Sequence, residues 1–102
     1  MIFHVTTAVA NPFKLGAMME WSHKAAAFLK ESHDMEVTIL RNVAGSGDEW
    51  HFVTTHDSLG ALEAYQMGVM GDESFMMLVS EARENELWST TRTNIYRSVS
   101  QG

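Results

Sequence analysis

Five histidines and four arginines carry most of the chemistry open to this chain. The histidines stand at His4, His23, His33, His51 and His56. No two make a His-x-x-x-His or His-x-His pair, so the paired-histidine spacings that place a metal on one helix or strand are missing. No metal and no cofactor is expected. His33 and His56 fall at element ends, where solvated side chains are expected, and His23 stands beside Ser22 and Lys24 on a polar helix face. His4 and His51 fall inside strands. Placed side by side they would form a site that titrates near neutral pH; two satisfied structural histidines are the plainer reading.

Arg41, Arg92 and Arg97 also fall inside strands, where a charge is costly unless it is paired or close to water. Arginine can hold a carboxylate with two parallel hydrogen bonds. Arg92 is the candidate anchor for an acidic head group, being mid-strand with Thr90, Asn94 and Tyr96 on the same parity. A salt bridge or a solvated strand end is the competing role. No Gly-x-Ser-x-Gly elbow is present, and Gly45-Ser46-Gly47 joins strand to strand, which is the wrong setting for a phosphate cradle. Glu81, Glu84 and Glu86 read as solvated surface. No residue is assigned a catalytic role.

The apolar side chains say more. Of eight methionines, Met67 and Met70 lie off the Leu62, Tyr65, Val69 stripe, and Met76 and Met77 flank the stripe that follows. That region is therefore apolar over a wider arc than one sheet contact requires, and a ligand or a partner must cover the surplus. Methionine re-packs around flexible molecules, while tryptophan and phenylalanine supply fixed walls. The expected ligand-binding set is His4, Met18, Trp21, Phe28, Trp50, Met67, Met70, Met76 and Arg92. The expected ligand is an apolar, fatty-acid-like molecule whose carboxylate meets Arg92 or His4. The alternatives are methionines that pack a dimer core, and a cofactor-independent monooxygenase that would need His4, His51 or Arg92 pointing into a pocket.

These residues must be positioned by a small framework. The chain has 102 residues, of which 45% are hydrophobic and 20% charged, with one proline and no cysteine. That suits one domain over residues 1–102 and excludes a disulfide scaffold, thiolate zinc and a cysteine nucleophile. A net charge of −6 argues against nucleic acid or an anionic membrane surface as partner. No apolar run approaches the ~18 residues of a membrane span, so a cytoplasmic protein is expected.

Hydrophobic periodicity predicts a strand over 2–9, a helix from Phe13 to about Ser32 opened by Asn11-Pro12, and strands over 35–43 and 49–56 joined by the turn at Ala44–Asp48. A long helical region follows, capped by Asp57-Ser58 and kinked or broken near Gly71-Asp72, then a strand over 87–99 and a frayed end at Ser100-Gln101-Gly102. Strand, helix, strand, strand, helix, strand is the ferredoxin-like βαββαβ order of an α+β protein, a four-stranded antiparallel sheet with two helices on one face. The strands carry apolar residues on both parities, Phe3 and Val5 against Ile2 and Ala8, Trp50 and Phe52 against Val53. Strands of that kind are usually buried on both sides, so a homodimer joined sheet to sheet is expected.

The stretch Ser58-Leu59-Gly60-Ala61-Leu62-Glu63-Ala64-Tyr65, followed by Gly71-Asp72-Glu73-Ser74-Phe75, resembles the NIPSNAP-like proteins of the dimeric α/β-barrel superfamily, and the order of elements extends the likeness over nearly the whole chain. Family members often have Asp-Pro-x-Phe at the helix break, and this chain lacks that proline. The resemblance implies protomers that dimerise into an α/β barrel and a pocket in each protomer. The superfamily includes cofactor-independent monooxygenases, haem-degrading oxygenases, haem peroxidases and polyketide cyclases. The haem-degrading members use a histidine on the second helix; none occurs here between Leu59 and Glu84, which disfavours haem.

Overall fold

The computed structural model describes residues 1–45 and 47–100. Seven elements follow one another: β1 (Ile2–Ala10), α1 (Leu15–His33), β2 (Thr38–Arg41), β3 (Glu49–His56), α2 (Leu59–Met70), α3 (Glu73–Glu84) and β4 (Trp88–Arg97). The strands form one antiparallel sheet in the order β2-β3-β1-β4, which is the ferredoxin-like arrangement, with β1 and β3 central. The fold is α+β, as the order of elements requires.

Local signals set most of the boundaries. The Ser58 hydroxyl accepts the Ala61 N–H and starts α2. Asp72 accepts the N–H groups of Ser74 and Phe75 and starts α3, so the break at Gly71-Asp72 separates two helices rather than kinking one. At the other end of α1, Asp34 takes a left-handed conformation (φ 49) and sends its N–H back to Leu29. Aspartate tolerates this better than most residues.

Two boundaries differ from the periodicity. Asn11-Pro12 does not open α1. The Asn11 side chain accepts the Phe13 N–H at 3.0 Å and donates to the Glu86 carbonyl at 2.9 Å, forming a turn that ties the end of β1 to the end of α3. The helix begins at Leu15 after Lys14, whose ammonium group donates to the Asn85 carbonyl. Strand β2 is limited to Thr38–Arg41, leaving Met35–Val37 and Asn42–Val43 outside it. Ser46 in the expected turn, and Gln101 and Gly102 in the expected frayed end, lie outside the described residues.

Register decides which parity meets the helices. Ile2 opposes His56, His4 opposes Thr54, Thr6 opposes Phe52 and Ala8 opposes Trp50, and this set faces the helical layer. The core packs at one end, around Ala8, Ala10, Met18, Trp50, Ala82 and Leu87, all buried. The opposite face carries Phe3, Val5, Thr7, His51, Val53, Asn94 and Tyr96 by alternation. Strand β4 lies at the edge, and every residue of it after Trp88 is exposed. Among the described residues no helix is long and apolar enough to cross a membrane.

Candidate ligand cavity

Between the sheet and the three helices lies a cavity of about 350 Å³. It exists because short side chains face one another there: Thr6 and Ala8 of β1 lie beneath Ala25 and Ala26 of α1. Its floor is completed by His4, by Phe52 and Thr54 of β3, and by Trp88 and Thr91 of β4. The walls come from helical stripes at four-residue spacing: Trp21, Ala25 and Leu29 on α1, Tyr65 and Val69 on α2, Phe75, Val79 and Arg83 on α3. Val37 closes one end, and the exposed residues Met70, Arg83 and Thr91 mark the mouth. A closed void of this size would cost several kcal/mol at roughly 24 cal/mol per Å³, so opening it to solvent or filling it with a ligand relieves a real penalty.

The aromatic walls are held in place. Trp21 donates its indole N–H to the Leu78 carbonyl at 2.8 Å, which locks α1 to α3. Its ring meets Trp88 and Phe52 edge to face, with centroids 5.2 and 6.3 Å away. The Tyr65 ring lies 5.3 Å from that of His56. Phe28 stands outside the lining but packs on Phe75, with centroids 6.1 Å apart, and so supports that wall from behind.

Among the lining side chains, those of His4, Tyr65, Gln66, Arg83, Trp88 and Thr91 make no side-chain hydrogen bond to any described residue. Burial lowers the pKa of His4, and neighbouring His56 lowers it further, so the imidazole is neutral at pH 7. Burial likewise lowers His56 and raises the Tyr65 phenol. His56 is not solvated, contrary to its place at the end of a strand. It is 5% exposed and shares a 2.8 Å hydrogen bond with the Thr54 hydroxyl. His33 also finds a partner that sequence position hides. Its Nε2 lies 2.8 Å from Asp72, across the joint between α1 and α3.

The expected site residues separate by position. His4, Trp21 and Met70 line the cavity. Met18 and Trp50 are buried in the core beside it. Met67 is 70% exposed, and Met76 also faces outward, because α2 and α3 turn these residues away from the sheet. The surplus methionine is therefore mostly surface, and the cavity lining is aromatic with a single methionine. Arg92 lies on the opposite face of the sheet, 3.0 Å from Glu49, and its guanidinium holds the Glu49 carboxyl below the usual range.

The His4–His51 pairing is also absent, for the same reason of parity. His51 shares the face of Arg92, bonded to the Thr7 hydroxyl at 2.8 Å and to Asn42 at 3.3 Å. Among the described residues no cluster of three or more His, Asp or Glu side chains is arranged to hold a metal ion. Tyr65, Gln66, Phe75 and Arg83 were not among the expected site residues. The Phe75-Val79-Arg83 spacing was the available signal, since a cation that continues an apolar stripe belongs at the rim of what the stripe lines.

No protein-family model matches the sequence, and no curated protein matches it. Solved structures do. An uncharacterized NIPSNAP domain protein from Burkholderia xenovorans superposes with a TM-score of 0.80 at 9% identity, covering 97% of this chain and 95% of its own. A NIPSNAP family protein of unknown function from Agrobacterium tumefaciens gives 0.77 at 15% identity, over 94% and 86%. A candidate antibiotic biosynthesis monooxygenase from Deinococcus radiodurans gives 0.72 at 11% identity, over 99% and 95%. At these identities the likeness is one of fold: the chain has the ferredoxin-like fold of the NIPSNAP proteins.

Proposed function

We propose that this protein binds a small, mainly apolar molecule in the cavity between sheet and helices, with a fatty-acid-like chain as the leading ligand. The observation that carries the reading is the combination of about 350 Å³ of aromatic-walled space with lining polar side chains, His4, Tyr65, Gln66 and Arg83 among them, that have no side-chain hydrogen-bond partner among the described residues. Such a volume falls at the lower end of the ~300–1,000 Å³ of small-molecule sites. It therefore suits a chain of medium length. A homodimer and a cytoplasmic setting belong to the same reading. The dimer is supported by the apolar groups left on the open sheet face, Leu40 and Tyr96 among them, each about half exposed.

A second reading, a cofactor-independent monooxygenase acting on an aromatic or polyketide-like substrate, is favoured by one feature. His4 is neutral, without a side-chain hydrogen-bond partner among the described residues, and set among aromatic walls, as suits a base that removes a substrate proton. The candidate monooxygenases that share the fold point the same way. Binding remains the lead because His51 lies on the far face and gives His4 no partner.

Native mass spectrometry of protein purified from cells, paired with organic extraction of the same sample, tests the binding reading. A co-purifying apolar molecule, or a rise in melting temperature with medium-chain acids, is expected. Protein that carries nothing and responds to neither acyl nor aromatic compounds would end it. Oxygen uptake with a phenolic substrate, abolished in His4→Phe, would transfer the lead to the enzyme.

A further inference from the structure

We propose that Arg83 makes the cavity selective for anions, so that its ligand is an apolar molecule ending in a carboxylate held at the mouth. This deepens the binding reading above and rests on it. Among the described residues, two other arginines are already engaged: Arg41 lies 3.1 Å from Asp48, and Arg92 lies 3.0 Å from Glu49. Arg83 makes no ion pair and no side-chain hydrogen bond with any described residue, and it is the arginine that lines the cavity.

Its neighbours on α3 explain why. The positions three and four residues back are Ser80 and Val79, neither of them acidic, and the helix ends one residue on at Glu84. The α3 stripe thus runs from Phe75 through Val79 to a free guanidinium, apolar wall first and cation last. A guanidinium in that position can take both oxygens of one carboxylate, while the chain or ring of the ligand lies against Val79, Phe75 and the tryptophans. Gln66 and Thr91 line the same cavity and can donate to a second oxygen.

Overall charge works against accidental anion capture. The chain carries −6, so an anion approaching elsewhere is repelled on average, and binding has to depend on a local cation. Arg83 also lies in the last turn of α3, where a cation favours the helix dipole. That role would show in the stability of the ligand-free protein and not in any choice between ligands.

Matched probes separate these roles. Decanoate is compared with decanol, and 2-naphthoate with 2-naphthalenemethanol, by calorimetric titration at pH 7 and low salt. The acid is expected to bind about tenfold more tightly than the alcohol, the scale of one charge-assisted contact discounted for exposure. Arg83→Gln should remove that preference and leave alcohol affinity unchanged, Arg83→Lys should retain part of it, and Arg92→Gln should leave it intact. Circular dichroism of each variant checks the fold, which an exposed side chain should not disturb. Equal binding of acid and alcohol by the wild-type protein would overturn the anchor and leave the cavity reading standing. A preference that survives Arg83→Gln would overturn it as well. Failure of all four probes to bind would remove the cavity reading, and the anchor with it.

Discussion

Replacing Ala25 by leucine should stabilise the protein while it blocks the cavity. Ala25 sits on the underside of α1, one turn from Trp21 and one turn from Leu29, and its methyl group faces the void. Leucine adds three carbons. At roughly 0.8 kcal/mol per buried methylene these contribute up to about 2.4 kcal/mol, less about 0.5–1 kcal/mol for the ordered side chain. In a tightly packed core the same change would cost about 1–3 kcal/mol through overpacking, so the sign of the effect reports whether the space is there. A void near 350 Å³ is many times the ~30 Å³ share of one water, and the added carbons can enter without displacing Trp21 or Phe52. The net gain is about 1.5 kcal/mol. For a chain of this size that is roughly 6–12 °C in melting temperature. Differential scanning calorimetry measures the gain, and titration with decanoate measures the loss of binding, expected to be at least about tenfold. A drop in melting temperature would show that α1 lies on the sheet without a gap. Unchanged decanoate affinity alongside the expected stabilisation would place the ligand elsewhere.

The remaining predictions concern the groups around the cavity. Ligand entry should change the fluorescence of Trp21 and Trp88, which face the cavity, and Trp21→Phe should shrink that response while Trp50→Phe leaves it in place. His56 has its pKa lowered by burial, so the folded state binds fewer protons than the unfolded one below the ordinary histidine value of 6.5. Its contribution is complete above pH 6.5 and is lost as pH falls, so the melting temperature should decline from pH 6.5 to 5, and His56→Gln should flatten that slope. Asp72 is held below the usual carboxylate value of 3.8, first by the His33 hydrogen bond and also by the Ser74 and Phe75 N–H groups. Its contribution is present above that value and lost as pH falls through the lowered pKa. Asp72→Asn, which keeps the cap on α3 but removes the charge, should lower the melting temperature at pH 7 and narrow its difference from wild type at pH 3.

The chain's local chemistry determined where most elements begin and end. Ser58 and Asp72 cap the helices that follow them because a side-chain oxygen two or three residues ahead of free N–H groups needs nothing from the rest of the molecule. The element order, and with it the ferredoxin-like sheet, followed from periodicity. Three features were decided only in three dimensions. The facing parity of β1 and β3 was hidden because both parities are apolar, and register alone put His4 against the helices and His51 and Arg92 against the open side. His33 finds Asp72 at a separation of 39 residues, and Asn11 finds Glu86 across 75, distances over which sequence spacing carries no information. The cavity is the third. It is a space left between Ala25, Ala26, Thr6 and Ala8, and an absence of side-chain volume becomes visible only when the elements that fail to fill it are brought together.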